Sequence, residues 1–169
     1  MESGMNSYLD FADNDYMFFR QAYDSGNKGS ALAALGQNIC ERYLKHIISE
    51  YANPETLGEE NEKRHMLRTH SLNKLMGYIS EKMEIEIPLD TELAMNVIDG
   101  FYFSTRYPGN ESFIPTSRDI DKANMAVENT RVFTHEVCKN MEIENAIHEA
   151  SEQDYDDYAD FDFGDDERE

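Results

Sequence analysis

The chain has 169 residues, 40% of them hydrophobic, and a formal net charge of −20. This size and composition suit one core-forming domain plus a tail, and the charge excludes a surface that holds nucleic acid non-specifically through its phosphates. No apolar run approaches the roughly 20 residues needed to cross a bilayer, so no membrane association is expected.

The opening Met1-Glu-Ser-Gly-Met-Asn-Ser7 has no basic region followed by an apolar core, and so does not read as a signal peptide. Cys40 and Cys138 both fall inside predicted helices. Buried small hydrophobes are the ordinary reading of such a pair, ahead of a disulfide or a metal site, and a reducing cytoplasm suits it. The charge is uneven. Residues 149–169 hold eleven acidic residues against one Arg, which divides the chain into a helical body, 1–148, and an acidic tail, 149–169.

In chain order, residues 7–25 read as a first helix, with Ser7 as N-cap and Tyr8, Phe11, Asp15 and Ala22 at helical spacing. Ser25-Gly26-Asn27 stops it, and the short turn predicts an antiparallel helix pair. Residues 28–51 form a second helix with Ala31, Leu35, Ile39, Tyr43 and Ile47 as its apolar stripe. Beside that stripe fall Gln37, Asn38, Glu41, Arg42 and Lys45, whose ordinary reading is a solvated face with one-turn pairs such as Glu41 with Lys45. Residues 52–68 contain Pro54 and Gly58 and read as a charged loop ending in Lys63, Arg64, His65 and Arg68.

Thr69-His70-Ser71-Leu72 opens a third helix, capped by Thr69 or Ser71, with Leu72, Leu75, Ile79 and Met83 on its buried side. Glu84 to Leu89 reads as an extended linker. Asp90 is expected to cap a fourth helix running to Arg106, with Leu93, Val97 and Phe101, and beside them Ala94, Ile98 and Tyr102, turned inward. Arg106-Tyr107-Pro108-Gly109 ends it, because a residue preceding Pro is biased away from helix and Gly permits a turn. Thr116 or Ser117 caps a fifth helix to about residue 147, with Ile120, Ala123, Val127, Thr130, Phe133, Val137 and Met141 marking its inner face. The tail, with Tyr155, Tyr158, Phe161 and Phe163 set among acids, is expected to be disordered when alone.

No Gly-rich phosphate loop and no Cys-x-x-Cys pair occurs, and the five His form no metal-ligand spacing on one helix, so no metal or cofactor is assigned. The order of elements, together with Gln37-Asn38-Ile-Cys-Glu41-Arg42-Tyr-Leu-Lys45, Thr69-His70-Ser-Leu72 and Arg106-Tyr107-Pro108-Gly109, resembles the HEPN (higher eukaryotes and prokaryotes nucleotide-binding) domain family over about residues 8–140. The resemblance implies an all-α, antiparallel up-down bundle of four to five helices, commonly a homodimer. It also implies nucleotide binding, RNA cleavage, or pairing with a small nucleotidyltransferase in toxin–antitoxin operons. The RNase-active branch carries an Arg, four to six residues, then a His. Here Arg131 and His135 are separated by three, as are Arg42 and His46, and Arg64 and His70, with five between, fall on a loop and a helix start rather than on the expected helix.

The expected function is therefore a non-enzymatic nucleotide- or partner-binding module in the cytoplasm. Its cleft would be formed by Asn38, Glu41, Arg42, Lys45, His70, Arg106 and Tyr107. The alternative is a metal-independent ribonuclease toxin of a toxin–antitoxin pair with a small nucleotidyltransferase; in either case a nucleotide or RNA is the expected ligand. Two readings stand for Arg106: a phosphate contact, or an ion pair with Glu41 across the bundle. Two stand for His70: a ligand contact, or a helix-start cap. For Arg131 and His135 a solvated face is the ordinary reading and a catalytic pair the sharper one.

Overall fold

The structure is a computed structural model that describes residues 6–159, with side chains for residues 6–151. Among the described residues the chain is entirely helical apart from its loops. α1 spans Tyr8–Asp24, α2 Ser30–Tyr51, α3 Leu57–Met66, α4 Leu72–Glu81, α5 Leu89–Ile98, α6 Phe101–Ser104 and α7 Ser117–Ala159. The all-α helical bundle expected from the sequence is what the chain forms, and no helix among the described residues is long and apolar enough to cross a membrane. Its contacts separate into two units, the first ending at His135 and the second beginning at Glu136. The second unit is the continuation of α7 to Ala159.

α2 is the axis of the first unit. A surface helix buries one stripe, but α2 buries residues all the way round, from Leu32 through Ile39, Tyr43 and Leu44 to Ile48. α1, α4 and α6 pack against it. Gly36 lets α2 approach closely: a Cβ there would stand 3.1 Å from Ala123 Cβ and 3.3 Å from Phe19 Cε2. The burial of α2 overturns one expectation, because Gln37, Glu41 and Lys45 lie inside rather than on a solvated face.

The ends of the helices follow local chemistry. Ser7 and Asp10 form a reciprocal capping box at the start of α1. The segment expected to be a loop contains α3, which Thr56 and Glu59 cap in the same reciprocal way. Lys63 then holds α3 in place by donating to the carbonyls of Ser49 and Ala52 at the end of α2, 2.9 and 2.8 Å away. Those carbonyls have no partner within their own helix, so a lysine there satisfies them.

The fourth predicted helix is broken in two. Gly100 sits at φ 97, a left-handed conformation that ends α5 and turns the chain into the one-turn α6. Pro88 rather than Asp90 occupies the N-cap of α5. α5 buries Ala94 and Ile98 as expected, together with Thr91 and Met95, and leaves Leu93 and Val97 exposed instead of inward. α7 begins at Ser117 and buries Ile120, Ala123, Val127, Thr130 and Phe133 as expected. It passes residue 147, its expected end, and runs to Ala159. The remainder of the acidic tail, residues 160–169 with Phe161 and Phe163, lies outside the described residues.

Candidate functional site

Three of the expected site residues meet in one cluster, of which Glu41 and Lys45 are buried. Lys45 Nζ donates to Glu41 Oε1 at 2.6 Å, one turn apart on α2. His70, in the loop leading to α4, brings its Nδ1 to 3.2 Å from the same carboxylate oxygen. The His70 ring is more than half exposed and lies 6.0 Å from the Tyr102 ring, nearly parallel to it. Phe103 meets the His70 ring edge-on at 6.1 Å.

Arg106 lies against the same aromatic. Its guanidinium carbon is 4.6 Å from the centre of the Tyr102 ring and 5.6 Å from that of Tyr107, within the range of cation–π attraction. The ion pair between Arg106 and Glu41 is not formed, because Lys45 and His70 take the carboxylate. Among the described residues Arg106 has no carboxylate at salt-bridge distance. It borders an open groove of about 400 Å³ with Asn38, Thr105 and Ser30. Ser30 opens α2, whose N-cap Gly29 offers no side chain to the first N–H groups. Arg106 gives the groove a positive charge suited to an anion.

Gln37 is what fastens the two halves of this region, although nothing in its local sequence sets it apart from its polar neighbours. Its Nε2 donates to the His70 carbonyl at 2.9 Å, and its Oε1 accepts from the Tyr102 N–H at 2.7 Å. One fully buried amide therefore fixes both the loop that carries His70 and the turn that carries Tyr102. The signal available beforehand is the row Gln37, Glu41, Lys45 at four-residue spacing on a helix otherwise apolar on that side.

Arg42 lies elsewhere, and Tyr107 touches the site only through Arg106. Arg42 pairs with Asp15 of α1. Tyr107 is 56% exposed and borders a separate cavity of about 470 Å³ with Phe103 and Phe113.

A second polar cluster forms where α1, α2 and α7 meet. Tyr43 donates to Asp13 Oδ1 at 2.6 Å, and His135 Nε2 lies 3.3 Å from that oxygen. Arg131 Nε is 3.7 Å from it, and the Arg131 guanidinium rests 4.5 Å from the Tyr16 ring centre. Burial, then the bond to Asp13, raises the Tyr43 hydroxyl above its ordinary value of 10.0. Arg131 and His135 thus converge on one carboxylate rather than forming a solvated face. Comparison of the chain with family models, with curated proteins and with solved structures returns no match.

Proposed function

We propose that the chain is a HEPN-like binding module of the cytoplasm that takes the phosphate end of a nucleotide in the Asn38–Arg106 groove, without catalysing a reaction on it. The observation that carries the reading is Arg106 itself. It is an exposed cation held against the Tyr102 ring, with no acidic partner among the described residues, at a groove that also receives the start of α2. Such a guanidinium is free to bind a phosphate with two parallel hydrogen bonds. His70 and Tyr102 supply flat rings beside it. The homodimer and the small nucleotidyltransferase partner implied by the family resemblance belong to the same proposal.

The test is a thermal-shift titration with ATP, GTP, CTP and UTP on the full chain and on Arg106→Ala. Ligand at about 100 times its Kd stabilises the fold by about 2.7 kcal/mol. The expected result is a shift for at least one nucleotide that Arg106→Ala removes. No shift with any of the four, or an unchanged shift in the variant, overturns the reading.

The second reading, a metal-independent ribonuclease, is favoured by one observation: Arg131 and His135 both face Asp13 beside Tyr43. His135 would move the 2′-hydroxyl proton and Arg131 would stabilise the charged phosphate. RNA cleavage lost in both His135→Ala and Arg131→Ala supports it; cleavage unchanged in both removes it.

A further inference from the structure

The α4–α5 side of the first unit carries a groove that the nucleotide reading does not use. Its volume is about 540 Å³. Met76 of α4, and Ile85 and Ile87 of the linker that follows, give it an apolar floor. Its rim is built from four glutamates, Glu81, Glu84, Glu86 and Glu92, and no Lys or Arg lines it. All four are exposed. Among the described residues none of the four stands at salt-bridge distance from a cation, whereas Glu60 and Glu62 of α3 each have one.

The linker is held in shape. Glu84 adopts φ 55, in the left-handed region, and the next residue, Ile85, donates its N–H to the Ile79 carbonyl at 3.2 Å. The groove is thus built on a fixed turn. It borders an apolar stripe on the outward face of α5, where Leu89, Leu93 and Val97 are 69%, 55% and 49% exposed. These residues are spaced four apart, so they form a ridge about 12 Å long at 1.5 Å per residue. Glu92 belongs to the groove and stands three residues after Leu89, its neighbour on the helix surface, so acidic rim and apolar stripe adjoin.

We propose that this face docks a basic amphipathic helix of another protein. Its apolar residues, one turn apart, would lie on the groove floor and on Leu89 and Leu93, and its Lys or Arg residues would reach the four glutamates. Charge complementarity decides the occupant. A second copy of a chain with net charge −20 would set carboxylates against carboxylates. Nucleic acid and anionic membrane surfaces are repelled for the same reason.

The experiment is fluorescence anisotropy on the full chain. The probe is a fluorescein-labelled helix-forming peptide of about 14 residues, four turns long, with Leu on one face and Lys on the other. A peptide of the same composition in scrambled order has no apolar face and serves as its comparison. Two groove variants are measured: Leu89→Ser with Leu93→Ser, both exposed positions that leave the core intact, and the four rim glutamates changed to Gln. A charge-matched control changes Glu55, Glu60, Glu111 and Glu144, exposed glutamates that do not line the groove, to Gln. Arg106→Ala separates this face from the nucleotide groove. Circular dichroism verifies that each variant is folded.

The ordered peptide is expected to bind more tightly than the scrambled one. Each groove variant is expected to weaken it about tenfold or more, while the control and Arg106→Ala stay within about twofold. Equal binding of the scrambled peptide, or equal loss in the control, reduces the effect to diffuse charge attraction and overturns the proposal. Self-association that the Leu89→Ser, Leu93→Ser variant abolishes assigns the face to a second copy and overturns it as well.

Discussion

Lys45 Nζ stands 2.6 Å from Glu41 Oε1, and the two side chains are only 7% and 8% exposed. A charge so buried is tolerated because its partner is beside it, and His70 completes the coordination of the carboxylate. Removing one partner strands the other. Lys45→Met alone and Glu41→Gln alone are each expected to cost about 3–5 kcal/mol. The double replacement Glu41→Leu, Lys45→Met removes both charges and is expected to recover much of that loss. Urea unfolding of the three variants checks this, and additive losses in the double variant would contradict it.

Gly36 and Gly77 make opposite predictions although both sit within helices. At Gly36 an added side chain runs into Ala123 and Phe19, so Gly36→Val is expected to destabilise by about 1–3 kcal/mol through overpacking. At Gly77 an added Cβ meets nothing within 4 Å. Gly77→Ala is expected to stabilise by up to about 1 kcal/mol, through the helix preference of Ala alone. Thermal unfolding of the two variants should move in opposite directions.

His46 gives a pH dependence with a definite sign. Its ring is buried, its Nδ1 has no hydrogen-bond partner among the described residues, and the ring meets Tyr51 edge-on at 6.2 Å. Burial holds its pKa below the ordinary 6.5, against the opposing pull of Glu50, Asp10 and Asp13. The unfolded chain therefore takes up a proton first as the pH falls. The stability from neutral His46 is complete above 6.5 and is lost as the pH drops toward the lowered folded value. Between about pH 7 and pH 5, where an unperturbed His titrates, wild-type stability should fall more steeply than that of His46→Gln. Parallel curves would assign the acid sensitivity to other groups.

Arg106 is expected to be dispensable for the fold. Its contacts are with the rings of Tyr102 and Tyr107 at the surface, so Arg106→Ala should change stability by about 1 kcal/mol or less. A larger loss would mean that the corner needs Arg106 for its structure, and its ligand role would have to be read from Arg106→Lys instead.

Helix starts are legible wherever a side chain closes its own turn. Ser7 reads as a cap from sequence because its partner Asp10 is three residues away. Thr56-Leu-Gly-Glu59 carries the same signature, but Pro54 just before it and Gly58 within it signal chain breaking and mask it. Gly100 is hidden for the converse reason. One Gly in an apolar periodic run is compatible with a continuous helix, and only its positive φ makes it a break. Within α5, Ala94 and Ile98 take the buried side and Leu93 and Val97 are left outward.

The site divides along the same line. The resemblance brings Glu41, Lys45, His70 and Arg106 onto one short list, but pairing is a matter of distance in space. Gln37 binds the backbone of His70 and Tyr102, residues 33 and 65 positions away in the chain, which no local pattern encodes.

By itself the sequence determined the helical class, the caps at Ser7 and Ser71, the outward limit set by charge, and the corner at Pro108, because these depend on neighbours within about one turn. The tertiary structure alone decided that α2 is the buried axis, that the one-turn pair of Glu41 with Lys45 lies inside it, and that Arg106, not paired with Glu41, is left facing a groove. Those outcomes depend on which helix covers which face. Burial changes the worth of a charge by removing water, and it is fixed only when the helices have packed.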